Sequence, residues 1–241
     1  MAREKAAPFF NTNLDTNLLK LIATISMILD HVGAEFFPEL IIFRLAGRLA
    51  FPLYCYCMTV GMVYTRDIKK YLFRLGAFAI ISQSFWIIAF NQDDILGNIT
   101  NMNIFFTLFV SLLGCWCFKE RKWLPFVGVV LLLNLVNFDY GMTGLIYMIV
   151  FYQFRERPAI GCTLLAVFML LPNIYTILDP TTADLMIGGI GLDWTVTAVL
   201  SLPLIYIPTK VYPNIPKYFF YSIYPLHLGL IGLVRFLMRP A

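Results

Sequence analysis

The stretch from Asn17 to Phe37, N-L-L-K-L-I-A-T-I-S-M-I-L-D-H-V-G-A-E-F-F, most constrains what this chain can become. It is long and apolar enough to cross a bilayer, where a segment must satisfy its own backbone polar groups and is therefore helical. Yet it carries Lys20 near its start and the adjacent ionisable pair Asp30 and His31 well inside. Such groups in hydrocarbon are costly, face a bundle interior or an aqueous cavity, and mark functional sites. Eleven residues separate Lys20 from His31, which at about 100° per residue returns to within roughly 20° of one face, about 16 Å along the axis. Lys20 is thus expected near a membrane surface, with His31 deep on the same stripe. Asp30 lies about 100° round from His31, toward a different neighbour.

The rest of the chain repeats this apolar character. Of its 241 residues 60% are hydrophobic and only 13% charged, against about a quarter charged in soluble domains, which excludes an ordinary soluble enzyme. Apolar runs separated by polar or Gly/Pro-containing turns predict an all-α, polytopic transmembrane bundle of about nine spans, near 18–37, 40–65, 71–90, 102–118, 123–138, 141–154, 158–177, 194–208 and 218–238. The sixth is short for a full crossing. Residues 1–16 read as a cytoplasmic N-terminal tail and 17–241 as a single membrane domain.

Charge in the connections supplies the orientation. Placing the N-terminus in the cytoplasm puts thirteen of the eighteen Lys and Arg residues on the inside, among them Arg66, Lys69, Lys70, Arg74 and Lys217. The outside connections then hold Glu39, Asp93, Asp94, Asp139, Asp179, Asp184 and Asp193 with no cation, as the positive-inside rule requires. The longest outer connection, Leu178 to Asp193, contains three glycines and reads either as a plain connector or as a cover over a site from the outer face. The net charge of +4 gives no reason to expect a nucleic-acid partner. Two Cys-x-Cys pairs, Cys55/Cys57 and Cys115/Cys117, resemble metal spacing, but residues two apart on a helix point to opposite sides. They and Cys162 read as small core residues, and no metal is expected.

The polar residues inside the membrane form the candidate site. The first two spans make a hairpin turning near Phe37 and Pro38, which places Arg44 level with Asp30 and His31, and Arg48 about one turn deeper on the same face. Pro52 is positioned to bend the second span around them. Gln83, Asn103, Asp139, Tyr140, Tyr224 and His227 are substrate-binding candidates at similar depth, with Asn103 and Asp139 also suited to capping, and Pro225 able to break the last helix beside His227. A His with an acidic neighbour is equipped as a general base, and nearby arginines can hold an anion or a developing oxyanion. No G-x-S-x-G, H-E-x-x-H or phosphate-binding glycine loop is present, so direct acyl transfer from a thioester is the simplest chemistry these residues suit. The same residues would also serve a transporter as a proton relay or anion site.

Lys20-x10-His31 resembles the Arg/Lys-x10-His signature of acyltransferase-3 membrane enzymes. More extensively, L-K-L-I-A-x-I-S-M-I-L-D-H-V-G (19–33), R-L-A-G-R-L-A-F-P-L-Y (44–54), the K-Y-L-F-R-L-x-x-F-A-I-I-S-Q run (70–83), N-I-F-F-T-L (103–108), D-Y-G-x-x-G (139–144) and K-Y-F-F-Y-S-I-Y-P-L-H (217–227) are similar to the TraX family, in order, along nearly the whole chain. That resemblance implies an acetyl-CoA-dependent acetyltransferase of the bacterial inner membrane, linked to conjugation and acting on an extracytoplasmic amine or hydroxyl, such as a pilin-like amino terminus or an envelope glycan. His31 would be the catalytic base, Asp30 would orient it, and Arg48 with Arg44 would hold the thioester or oxyanion. Lys20, Lys69, Lys70 and Arg74 would bind acetyl-CoA from the cytoplasmic side.

Overall fold

The computed structural model describes residues 10–90, 100–187 and 190–238. Asp93, Asp94, Gly188, Gly189 and the extreme N-terminal residues lie outside the described residues.

The first helix, α1 (Thr16–Phe36), starts where Asp15 caps it: the Asp15 carboxylate accepts from the Leu18 N–H. Pro38 disfavours helical backbone at Phe37, so the chain turns there as the sequence predicts and enters α2 (Ile41–Gly47). A one-turn interruption at Arg48 and Leu49 separates α2 from α3 (Ala50–Tyr64). Pro52 accounts for it, having no N–H to give the Arg48 carbonyl and a ring that crowds it. Then follow α4 (Ile68–Phe90), α5 (Ile104–Lys119), α6 (Trp123–Leu135), α7 (Thr143–Gln153), α8 (Pro158–Leu170), α9 (Asn173–Leu178), α10 (Ser201–Tyr206) and α11 (Lys217–Leu237). Pro225 does not break the last helix. It sits inside continuous α11, and the helix runs on past His227.

α1 packs between the α2–α3 pair on one side and α11 on the other. Helix α11 lies along α4, α4 along α5, and α5 and α3 both meet α7, so these elements enclose a common interior. Its fully buried side chains include Leu53, Tyr56, Leu75, Leu112, Met148 and Leu228. Cys55, Cys57 and Cys115 are part of this apolar packing, Cys117 is also buried, and Cys162 is half-buried.

The structure adds three features to the sequence reading. First, among the described residues four helical stretches are long and apolar enough to cross a membrane: α1, the combined α2–α3 stretch Ile41–Tyr64, α4 and α11. The other five apolar segments are shorter, 10–17 residues, hence about 15–25 Å at the α-helical rise. Second, the outer connection carries a small antiparallel hairpin, β1 (Leu185–Ile187) with β2 (Ile190–Leu192), so the fold is nearly rather than wholly α-helical. A 3-10 segment, Trp194–Leu200, leads from it into α10. Third, the stretch before α1 is docked from Phe10 onward. Phe10, Thr12, Asn13 and Asp15 are all buried; the Tyr56 hydroxyl donates to the Asn13 carbonyl at 2.6 Å, and the Asn13 amide donates to Leu204 O at 2.9 Å.

Candidate functional site

A cavity of about 740 Å³ runs through the interior between α1, α2–α3, α4, α5 and α11. Lys20, Tyr64, Arg74, Lys217 and Tyr221 line it, and so do Asp30, His31, Arg44, Arg48, Asp139 and Tyr140. The first set comes from the start of α1, the end of α3 and the starts of α4 and α11, elements that meet at one end of the bundle. In the second set Asp30 and His31 lie ten residues and more along α1 from Lys20, beside Arg44 and Arg48 at the end of α2 and Asp139 and Tyr140 in the α6–α7 turn, so a single space joins a cationic mouth to a deep polar end.

At the deep end the Asp30 carboxylate pairs with both arginines: it accepts from Arg48 Nη2 at 2.6 Å and forms an ion pair with Arg44 Nη1 at 3.0 Å, while Arg44 Nη1 donates to the Asp30 backbone carbonyl at 3.4 Å. The four-residue spacing of the arginines makes this possible, because it puts both side chains on the helix face opposite Asp30. Gly47 makes it close: a Cβ there would collide with the Cβ and carboxylate of Asp30. Arg44 also rests over the Trp194 ring at 5.0 Å. Arg48 donates from Nη1 to the Tyr140 hydroxyl at 2.9 Å and from Nε to Arg44 O at 3.4 Å.

Tyr140 is presented by the turn between α6 and α7, where Tyr140 and Gly141 both adopt positive φ, 62° and 43°. Three contacts hold that turn. Thr107 Oγ1 donates to Asp139 O at 2.5 Å, the Asp139 N–H donates to Met102 O at 3.3 Å, and the Tyr140 ring stacks on Phe51 at 4.0 Å. Three residues on, Gly144 lets α7 approach Ser111 and Phe51, so the Asp-Tyr-Gly-x-x-Gly spacing has a conformational reason at Gly141, its positive φ, and a packing reason at Gly144. Asp139 lines the cavity and is solvent-exposed. Desolvation by the surrounding protein, with a smaller push from the Asp30 charge, raises its carboxyl to about 6 against the pull of Arg48 and Arg44.

His31 makes its hydrogen bond elsewhere. Its Nδ1 lies 2.7 Å from Nε2 of His227, and Nδ1 of His227 lies 2.9 Å from Ile223 O. The two rings are inclined by only 13° with centroids 5.0 Å apart, the separation expected of imidazoles joined edge to edge through that bond, so they are nearly coplanar. Phe90 and Tyr224 close around His31 edge-on, at 5.2 and 6.2 Å between centroids. The orienting partner of His31 is therefore His227, where the sequence reading places Asp30. The reason is geometric, because Asp30 faces the arginines of the neighbouring hairpin.

The remaining expected residues divide between the cavity and the scaffold. Lys20, Arg74 and Tyr224 line the cavity. Lys69 and Lys70 do not: both are exposed at the start of α4, and Lys70 pairs with Asp67 at 3.4 Å. Gln83 and Asn103 are likewise absent from the lining and bind each other, with Asn103 Nδ2 donating to Gln83 Oε1 at 2.8 Å and to Ala79 O at 3.0 Å. Asn103 Oδ1 caps α5 through Phe105 N–H at 2.9 Å. These two residues fasten α4 to the start of α5. Sequence reasoning treats Lys217 as a topology charge only and passes over Trp194. Lys217 has a legible signal, since it opens the last span as Lys20 opens the first, whereas nothing in the sequence marks Trp194.

Fold and site together define a polytopic helical membrane protein with a buried polar site reached by an internal cavity. The chain belongs to the TraX family, whose TraX protein profile matches residues 15–235. It is 29% identical to the probable fimbrial assembly protein FimC, serogroup H1, of Dichelobacter nodosus, over 95% of this chain and 99% of that protein. It is 26% identical to protein TraX of Escherichia coli, over 90% of this chain and 86% of that protein. An uncharacterized protein of Rickettsia prowazekii is 27% identical over 68% of this chain. No solved structure matches.

Proposed function

We propose that this protein is an acetyl-CoA-dependent acetyltransferase of the bacterial inner membrane, with its N-terminus and its basic connections in the cytoplasm and the shorter apolar helices completing nine membrane passes. The observation that carries this reading is the single cavity joining Lys20, Arg74 and Lys217 to His31. Coenzyme A bears several phosphate charges at one end and its reactive thioester at the other, joined by a slender arm. Cations at the mouth suit the phosphates. The rise of about 16 Å between Lys20 and His31 suits the arm.

In the reaction, the acceptor amine or hydroxyl, written X–H, loses its proton to His31 as X attacks the acetyl carbonyl. Arg48 and Arg44 face the oxygen on which negative charge develops. A guanidinium has five N–H donors, and Arg48 spends three on Asp30, Tyr140 and Arg44 O, so donors remain for that oxygen. The X–C bond forms, the C–S bond breaks, and the coenzyme sulfur takes back the proton from His31. The products are acetyl-X and free coenzyme A. The acceptor is an extracytoplasmic amine or hydroxyl, reaching the deep end from the opposite face, where Asp139, Tyr140 and Tyr224 line the wall. The name of the Dichelobacter relative, a probable fimbrial assembly protein, favours an acceptor that is itself assembled into a surface structure.

The test is release of coenzyme A thiol by the purified protein with acetyl-CoA and a panel of acceptors, a short peptide with a free amino terminus and a hydroxyl-bearing oligosaccharide. His31→Ala is expected to lower kcat by about 10²–10⁴-fold. Full activity in that variant removes His31 from the chemistry, and movement of substrate across proteoliposomes without consumption of thioester identifies a transporter instead.

A further inference from the structure

For two neutral rings, the hydrogen-bond chain on the far side of His31 assigns the protons once its last member is considered. A carbonyl oxygen only accepts, so the 2.9 Å contact between His227 and Ile223 O requires a proton on His227 Nδ1. In a neutral imidazole the other nitrogen is then an acceptor, so His227 Nε2 carries a lone pair. Its 2.7 Å partner, His31 Nδ1, must donate. That leaves the lone pair of His31 on Nε2, the nitrogen with no hydrogen-bond partner among the described residues, in a ring that lines the cavity.

We infer that His227 is a positioning residue that fixes His31 in the Nδ1–H tautomer, with Nε2 as the basic atom presented to the acceptor. The inference rests on the acetyltransferase reading above and adds to it the identity of the reactive nitrogen and the source of its orientation. The two rings are nearly coplanar at 13°, so the contact also fixes the plane of His31 and the direction of its free lone pair. As His31 takes the acceptor proton and becomes cationic, its Nδ1–H bond to His227 becomes charge-assisted and strengthens at the moment of transfer. His227 thereby stabilises the imidazolium without itself gaining or losing a proton. This role is the one a carboxylate commonly fills beside a catalytic imidazole, and here Asp30 is occupied by Arg44 and Arg48. A neutral partner holds the ring without adding a second charge to the buried site.

The chain has only two histidines, so uniform ¹⁵N-histidine labelling reports on this pair alone. In the wild-type protein in lipid, both rings are expected to show a protonated Nδ1 and an unprotonated Nε2. Substituting His227→Gln keeps an acceptor near the Nε2 position, whereas His227→Phe keeps the ring volume and removes it. With His227→Phe, His31 is expected to populate the Nε2–H tautomer. Its kcat for coenzyme A release from acetyl-CoA with the acceptor panel is expected to fall about 100-fold or more, with KM for acetyl-CoA little changed. His227→Gln is expected to recover the Nδ1–H signature and a large part of kcat. A wild-type spectrum with the proton on His31 Nε2 overturns the inference, whatever the activity. So does unchanged kcat in a folded His227→Phe protein, or failure of His227→Gln to exceed His227→Phe. A wild-type protein that releases no coenzyme A with either acceptor overturns the acetyltransferase reading instead, and with it the catalytic meaning of the pair.

Discussion

The two ends of the cavity hold similar numbers of cations and treat them in opposite ways. At the deep end Arg44 and Arg48 converge on one carboxylate, and Arg48 is further bound by Tyr140. Their positions are fixed by protein partners. At the mouth Lys20 lies 5.4 Å from the Phe220 ring centre, Arg74 lies 5.9 Å from that of Tyr71 and Lys217 lies 5.2 Å from that of Tyr218, with no carboxylate in salt-bridge range among the described residues. Aromatic faces attract cations weakly and leave their N–H groups available. The difference separates two tasks. Neutralised, immobile charge suits stabilisation of a transition state, and loosely held, uncompensated charge suits capture of an anion arriving from water.

The largest effect is expected from breaking the deep end. Asp30→Ala strands two guanidiniums in a low-polarity interior, and removing one partner of a buried pair typically destabilises by about 3–5 kcal/mol. Thermal unfolding in lipid should show this as a large fall in Tm, accompanied by lost turnover. A variant that unfolds like the wild type would mean that the arginines are solvated without Asp30. A smaller effect is expected at the mouth. The Arg74→Ala, Lys217→Ala double variant should raise KM for acetyl-CoA about tenfold with kcat nearly unchanged, since it removes uniform binding and spares the transition state. The wild-type KM should also rise with salt, and the double variant should lose most of that dependence. If kcat falls and KM stays fixed, the division of labour between the two ends is wrong.

The smallest effect concerns Asp139, whose carboxyl is raised to about 6 by desolvation. A raised carboxyl is neutral below that value and negative above it, so the cavity becomes more positive as pH falls through about 6. KM for acetyl-CoA should therefore drop by roughly twofold across that interval, a Coulomb effect felt at a distance through the cavity. Asp139→Asn should hold KM at its low-pH value throughout. Identical pH profiles in the two proteins would assign the titration to another group.

Much of this site is legible in the sequence because its parts are close along the chain. The turn at Phe37 and Pro38, and the placement of Arg44 and Arg48 opposite Asp30 and His31, follow from helical periodicity and one hairpin, so local rules suffice, although not the ion pairs that take Asp30 away from His31. The Asp139–Tyr140–Gly141 turn is visible as a motif, although not the positive φ values that aim Tyr140 at Arg48. Gln83 and Asn103 mislead for the opposite reason. A buried polar residue looks the same in a sequence whether it faces a ligand or fastens one helix to the next.

The amino-acid sequence by itself determined that this is a helical membrane protein of the TraX family, with an acid, an imidazole and two guanidiniums within about one helical turn of one another in depth. Only the tertiary structure decided that His31 meets His227, 196 residues away, that Lys217 joins Lys20 and Arg74 at one mouth, and that five of the apolar segments are shorter than a bilayer is thick. The physical reason lies in the solvent. Lipid is as apolar as the side chains that face it, so a hydrophobic pattern says that a helix is in the membrane but not which helix lies beside it. That choice is made by close packing and by the few polar groups that must find one another.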